Sequence, residues 1–382
     1  MRTKLSSSRA SISGIFSILA AITLGAGPIA TALTKKYGYR NVAIAGSCIA
    51  TFGFFLSYWW ANIWFYYITI SCIGGLGLNL MYLSSINCLQ DHFDENKTRA
   101  MGVAVSGSGV GTFVVSYFMN QIVNIRSWFS YSSGLLIEAG LIAVTFLLGF
   151  LLSSAKPKTN EKINLKLFKN SAFTLFIISN FLISLGFNVV YNYADDLAND
   201  AEVVKEQRSY ILMSIGISNI FGRLIIGFLG NGRNDKKRRL YLFILTYIIS
   251  GIATAVAPQC GSSVIQHIVY ASFFGFFSGG YVTLSFILPS DIVKDEEVND
   301  AIGLLCLFSG IAVAIGTPVV GAMRDVFEHF ARPFFWPYFI FRTCTIFSGY
   351  ILFAIPFLQK QYLRKHPKEK GSILEEELLN GK

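Results

Sequence analysis

Eleven long apolar runs, most of them free of ionisable side chains, follow one another along the 382 residues of this chain. They cover residues 12–33, 42–61, 63–89, 100–125, 127–155, 171–194, 209–232, 240–257, 264–288, 301–323 and 333–358. About 20 apolar residues in a helix cross the hydrocarbon of a bilayer. In that layer every backbone polar group must find a partner within the protein, which leaves helices as the conformation for isolated runs of this kind. A soluble core could not absorb them: 14% of residues are charged and 53% hydrophobic, against about a quarter charged in soluble domains. The chain therefore reads as an all-α membrane protein.

The formal net charge of +10 would suit a nucleic-acid binder if it formed one patch, but it does not. Lys35, Lys36, Arg40, Lys97, Arg99, Lys156, Lys158, Lys162, Lys166 and Lys169 fall in alternate loops, as do Arg233, Lys236 to Arg239, Lys294 and the tail from Gln359. The opposite loops hold only Arg126, Lys205, Arg208, Arg324 and Arg332. Lysine and arginine accumulate on the cytoplasmic side, so the first set and the C-terminus are expected there, and no nucleic acid is expected as a partner. Eleven spans with a cytoplasmic C-terminus place Arg2, Lys4 and Arg9 outside, against the same rule. One further span ahead of Ile12 would remove the conflict, so twelve spans are expected with the first one missing.

Weak internal symmetry supports that count. Cys72 to Tyr82 resembles Phe273 to Thr283, and Arg99-Ala-Met-Gly102 resembles Asp300-Ala-Ile-Gly303, both at an offset of 201 residues. Gly27 to Leu33 resembles Gly222 to Phe228 at nearly that spacing. The expected organisation is an N-terminal bundle of five spans (1–155), a basic cytoplasmic linker (156–170), a C-terminal bundle of six spans (171–358) and a basic cytoplasmic tail (359–382). Five spans and six become six and six with the missing one.

Four stretches resemble the monocarboxylate transporter family of the major facilitator superfamily. They are Gly27-Pro28 with Tyr37-Gly-Tyr-Arg40; Phe93 through Arg99-Ala-Met-Gly102 to Gly111; Ser214 to Arg223; and Gly275 to Tyr281 with Gly303 to Gly321. The resemblance implies a major facilitator fold of two pseudo-symmetric helix bundles, a multi-pass protein of the plasma membrane, and alternating-access transport of a small organic anion. No cofactor and no metal are expected from the residues. Some relatives need a single-span companion protein to reach the cell surface, so such a partner is admitted beside the solute and the lipid bilayer.

Arg223 is the sharpest candidate, because an arginine at mid-bilayer must face a cavity or a partner and its fork can hold a carboxylate through two parallel hydrogen bonds. The family uses an arginine at the matching position for its anionic substrate. The alternative role for Arg223 is to tie helices together through backbone carbonyls. Asn219 lies one turn earlier on the same face; proton-coupled relatives carry an aspartate there, so proton coupling is not assumed. Phe286 matches an aromatic position that the family uses for substrate size. Tyr281, Asn79, Tyr82, Asn188 and Tyr191 are polar or aromatic positions on helices that line the cavity in this fold. Glu138, Arg342 and His267 are weaker candidates, with His267 expected at the interface.

Nothing reads as an enzyme: there is no phosphate-binding Gly-Lys loop, no histidine pair at metal spacing and no nucleophile motif. The six cysteines show no repeated spacing. Two other readings stay open on the sequence: a facilitator of neutral or amino-acid-like solutes, motivated by Asn219, and a transport-inactive accessory, sensor or truncated product, motivated by the missing span.

Overall fold

The computed structural model describes residues 9–60, 62–93, 95–124, 131–153, 163–232, 236–327, 329–330 and 334–365. A helix forms in each of the eleven apolar runs, and among the described residues there is no strand. The first run holds α1 (Arg9–Gly25) and α2 (Gly27–Tyr37). Then come α3 (Tyr39–Leu56), α4 (Ile63–His92), α5 (Lys97–Asn124) and α6 (Tyr131–Gly149). The second half runs through α7 (Ser171–Asp200), α8 (Ser209–Leu229), α9 (Lys236–Val256), α10 (Val264–Ser285) and the short α11 (Leu288–Ile292). It ends with α12 (Val298–Val326), α13 (Phe335–Ile351) and α14 (Ile355–Lys365).

Eight helical segments are long and apolar enough to cross a membrane, and α1 with α2, bent by 43°, forms a ninth. At 28 residues, α5 has the length to cross as well, since a helix rises about 1.5 Å per residue. Much of the outward surface is apolar, including Phe52, Leu147, Leu151, Ile252, Phe273 and Phe347, as lipid contact requires. Tyr58, Trp59, Trp60 and Trp64 gather exposed where α3 turns into α4, the placement of an interfacial aromatic belt.

Within the first half α3 packs on α4 and α6, and within the second α8 and α9 pack on α10 while α7 packs on α12 and α13. Two seams join the halves: α5 lies along α8, and α1 with α2 lies along α12. Lipid provides no hydrophobic drive between helices, so close backbone approach and dispersion contact must hold such seams. At one seam, a Cβ on Gly102 would stand 2.7 Å from the carbonyl oxygen of Arg223 and 3.1 Å from Cα of Gly227. At the other, a Cβ on Gly27 would stand 2.6 Å from the carbonyl oxygen of Gly303.

Gly102 and Gly303 are the matched glycines of the internal repeat, and each meets a helix of the opposite half. The repeat in the sequence is therefore the trace of a two-fold relation between the seams. Replacing Gly102 with Leu should force α5 off α8 and lower stability by about 1–3 kcal/mol, the usual overpacking penalty. A drop in the thermal unfolding midpoint of the purified protein, absent in Gly107→Leu where a Cβ meets nothing within 4 Å, checks this.

Candidate functional site

Arg223 sits in the C-terminal half of α8 and is 6% exposed. Its Nη1 donates to the carbonyl oxygen of Val105 on α5, across the seam between the halves. Its Nε is buried and has no hydrogen-bond partner among the described residues, and no carboxylate among them pairs with it. The groups close enough to act on its charge are the phenols of Tyr191 on α7, Tyr82 on α4 and Tyr281 on α10. Four helices besides α8 thus converge on one guanidinium, two from each half. An unpaired buried donor on a cation costs free energy, which makes this arginine able to accept an anion.

An aromatic wall continues from that point. The Phe187 ring lies 5.4 Å from Tyr281 and 5.3 Å from Tyr191, and Tyr191 lies 5.8 Å from Phe274. On the other side Tyr82 and Phe286 meet edge to face at 6.0 Å, linking α4 to the end of α10. Gln90 donates to the backbone oxygen of Phe286 and fixes that aromatic from the first half. Of the residues expected from the sequence, Arg223, Tyr82, Tyr191 and Tyr281 are brought together, and Phe286 adjoins them through Tyr82.

Asn219 supports the site from behind. Its Nδ2 faces the carbonyl oxygen of Gly275 at 3.0 Å, Oγ of Ser278 at 3.3 Å and the hydroxyl of Tyr191 at 3.4 Å. The amide therefore joins α8 to α10 and holds the Tyr191 phenol. Asn79 is placed elsewhere, at the bend between α1 and α2. Pro28 has no N–H to offer the carbonyl of Leu24, and the Asn79 Nδ2 lies 2.7 Å from the Thr23 oxygen and 3.4 Å from the Leu24 oxygen. It satisfies carbonyls that the break leaves open. Asn188 is on α7, but its side chain lies outside the described residues.

The weaker candidates have packing roles. Arg342 lies over the Phe339 ring at 4.1 Å, and His267, in the first turn of α10, is fully buried with its Nε2 3.0 Å from the Gly261 carbonyl oxygen. Glu138 is half-buried on α6.

The sequence reading missed a polar lock at one end of the seam between α2 and α12. Lys35 on α2 reaches Asp300 on α12 at 2.6 Å, with both side chains buried. Tyr39 donates to Asp91, and the Asn299 Nδ2 lies 3.1 Å from the Tyr39 hydroxyl and 3.2 Å from Asp91 Oδ1. Thr31 donates to the Asn299 carbonyl oxygen at 3.3 Å. These contacts join α2, α3 and α4 of one half to α12 of the other. The available signal was Asp300, an acidic residue at the repeat position where the first half carries Arg99.

A site at the junction of two related helical halves, with a lock at one end of the junction, defines a membrane carrier. The profile of the Major Facilitator Superfamily matches residues 1–317. The chain belongs to that superfamily, and it acts in membrane transport, not as an enzyme. It is similar to monocarboxylate transporter 4 of Gallus gallus, at 26% identity over 95% of this chain and 78% of the relative. It is also similar to monocarboxylate transporter 1 of Homo sapiens, at 23% identity over 96% of this chain and 82% of the relative. Among solved structures, the proton:xylose symporter XylE superposes with a TM-score of 0.70 at 13% identity, covering 92% of this chain and 88% of that one. The Escherichia coli fucose:proton symporter FucP gives 0.65 at 14% identity, covering 89% and 91%. These structures share the fold.

Two tests follow from the geometry. Asn79→Ala should leave the Thr23 and Leu24 carbonyls without that donor and lower stability by about 1–3 kcal/mol, read as a fall in the thermal unfolding midpoint. Lys35→Ala or Asp300→Ala alone should strand a buried charge, a loss of about 3–5 kcal/mol, while Lys35→Ala/Asp300→Ala together should recover much of it. A thermal double-mutant cycle measures the coupling, and strict additivity would refute the lock.

Proposed function

We propose that this protein carries a small organic monoanion, of the monocarboxylate kind, by alternating access, with Arg223 as the carboxylate clamp. The observation that carries the reading is the buried Arg223 fork, held at Nη1 and open at Nε, at the meeting point of both halves. A carboxylate oxygen pair matches that fork and would remove the unpaired charge. The phenols of Tyr82, Tyr191 and Tyr281 surround the place where the anion would sit, and Phe286 with Phe187 sets its apolar limits. The similarity to monocarboxylate transporters supports the substrate class.

Asn219 has no proton to exchange at physiological pH and already holds α10 and Tyr191. The reading therefore includes no obligatory proton at this position. The aromatic wall of Phe187, Tyr191, Phe274 and Tyr281 favours a second reading, an amino-acid-like solute with an apolar side chain whose carboxylate uses the same arginine.

In the proposed topology the loops rich in Lys and Arg, the 156–170 linker between the two bundles, and the C-terminus all face the cytoplasm, at the plasma membrane. The Lys35–Asp300 lock then closes the cytoplasmic end. Breaking the lock would be the step that opens the site inward.

Uptake of radiolabelled monocarboxylates and aromatic amino acids into proteoliposomes, with and without an acid-outside gradient, tests the reading. In cells, a single-span companion protein is co-expressed in a parallel arm. Arg223→Ala should reduce carboxylate uptake by about 100-fold, the loss expected when a charge-assisted bidentate contact worth about 3 kcal/mol disappears, and Arg223→Lys should restore only part. Uptake unchanged in Arg223→Ala refutes the clamp. Uptake strictly dependent on the gradient refutes the proton-independent mechanism.

A further inference from the structure

We propose that the cytoplasmic end of the second half binds an acidic phospholipid of the adjacent leaflet, in a cleft between α9, α11 and α14. The cleft has a volume of about 720 Å³, within the range that holds a small-molecule-sized group. Its floor is apolar: Leu240, Leu288, Ile292 and Ile355 all face it, and all four are buried. Its rim carries Lys237, Lys360 and Arg364, all exposed. The one carboxylate on the lining, Asp291, is held by Arg239, with Nε to Oδ2 at 2.8 Å and Nη2 to Oδ1 at 2.5 Å. Its charge is thereby neutralised, and the rim keeps a positive balance.

The depth of the cleft selects a lipid. The helical stretch Phe335–Lys365 spans 31 residues, or about 46 Å at the usual rise, against a hydrocarbon thickness of about 30 Å. The α14 segment therefore continues past the acyl region to headgroup level. Its positions 355, 356, 359, 360, 363 and 364 form the face turned to the cleft, apolar toward the membrane and basic toward the end. Four basic residues in succession, Lys236 to Arg239, open α9. That end of a helix favours anions and disfavours cations, so an anion at the rim would relieve an arrangement that is otherwise unfavourable.

A phosphodiester on Lys237, Lys360 and Arg364 with acyl carbons on the leucine and isoleucine floor satisfies both parts of the cleft. A free phosphate would use only the rim. Basic residues at the membrane surface attract acidic lipids additively. The inference rests on the proposed sidedness only for which leaflet supplies the lipid. It does not depend on Arg223.

Native mass spectrometry of the full chain, released from micelles with added dioleoyl phosphatidylserine or phosphatidylcholine, tests this. Phosphatidylserine should be retained over phosphatidylcholine by about 100-fold, the scale that three surface cations contribute together. Lys237→Gln/Lys360→Gln/Arg364→Gln should remove the preference. The charge-keeping set Lys237→Arg/Lys360→Arg/Arg364→Lys should retain it, as should Lys205→Gln. Any loss of folding in the neutral set would show in size-exclusion chromatography, and Leu240→Asn then provides a second route, weakening retention of the diacyl lipid with the rim intact.

Two results would overturn the proposal. One is a preference unchanged in the neutral set. The other is equal displacement by inorganic phosphate at matched concentration, which would mark a site for a free anion. Because micelles have no sidedness, a failure here separates from a failure of the transport reading, which uptake alone decides.

Discussion

A guanidinium inside a bilayer is tolerable only when something close by replaces the water it has lost. In this protein Arg223 finds one backbone carbonyl, that of Val105, across the junction of the two halves. Everything else about the site follows from where that contact lies. It requires α5 and α8 to approach closely, which Gly102 and Gly227 permit. It also ties a buried cation that no carboxylate among the described residues pairs with to the junction of the two halves. A substrate carboxylate that bound the fork would compete with, or reorient, a contact that holds the halves together. In the proposed reading, substrate binding and movement of the halves are coupled at that one side chain.

The second seam has the same construction with the chemistry moved. There Gly27 and Gly303 provide the close approach, and the charge sits one end further along, in the buried Lys35–Asp300 pair. Buried ion pairs contribute little net stability compared with an apolar filling, but breaking one by losing a single partner is expensive. Such a pair therefore specifies a geometry more than it strengthens one. It favours one alignment of α2 against α12 and penalises alignments in which either charge is left buried and alone. Opening to solvent, where both charges are hydrated, escapes the penalty, which suits a lock that must close and release.

Much of this architecture was legible in the sequence. Length and spacing of apolar runs fixed the helices, because a bilayer sets a minimum length that loops do not meet. The 201-residue repeat anticipated the two halves, and its paired glycines prove to be the seam contacts. Arg223 was legible because charge is rare in such runs. What was not legible depended on facing. Asn79 looked like a cavity residue, yet it caps the bend that Pro28 creates, a role visible only once the Thr23 and Leu24 carbonyls are placed beside it. Asp300 stood out only as the repeat counterpart of Arg99, and only folding sets it against Lys35. Phe187 and Phe274 were two aromatics among many until the packing put them beside Tyr191.

The neutral Asn219 gains a physical explanation from these contacts. A carboxylate at that position would face the Gly275 carbonyl oxygen and the Ser278 hydroxyl at hydrogen-bonding distance. The hydroxyl could donate to it, but the carbonyl could not, and an ionised acid would be repelled by that oxygen. The asparagine amide donates to both without charge. With the acid absent, Arg223 keeps its full positive charge available for an external anion instead of sharing it with a residue on its own helix. The same substitution therefore stabilises α8 against α10 and leaves the arginine dependent on what enters the site. In the proposed reading the solute supplies the counter-charge, and the arginine supplies the affinity for it.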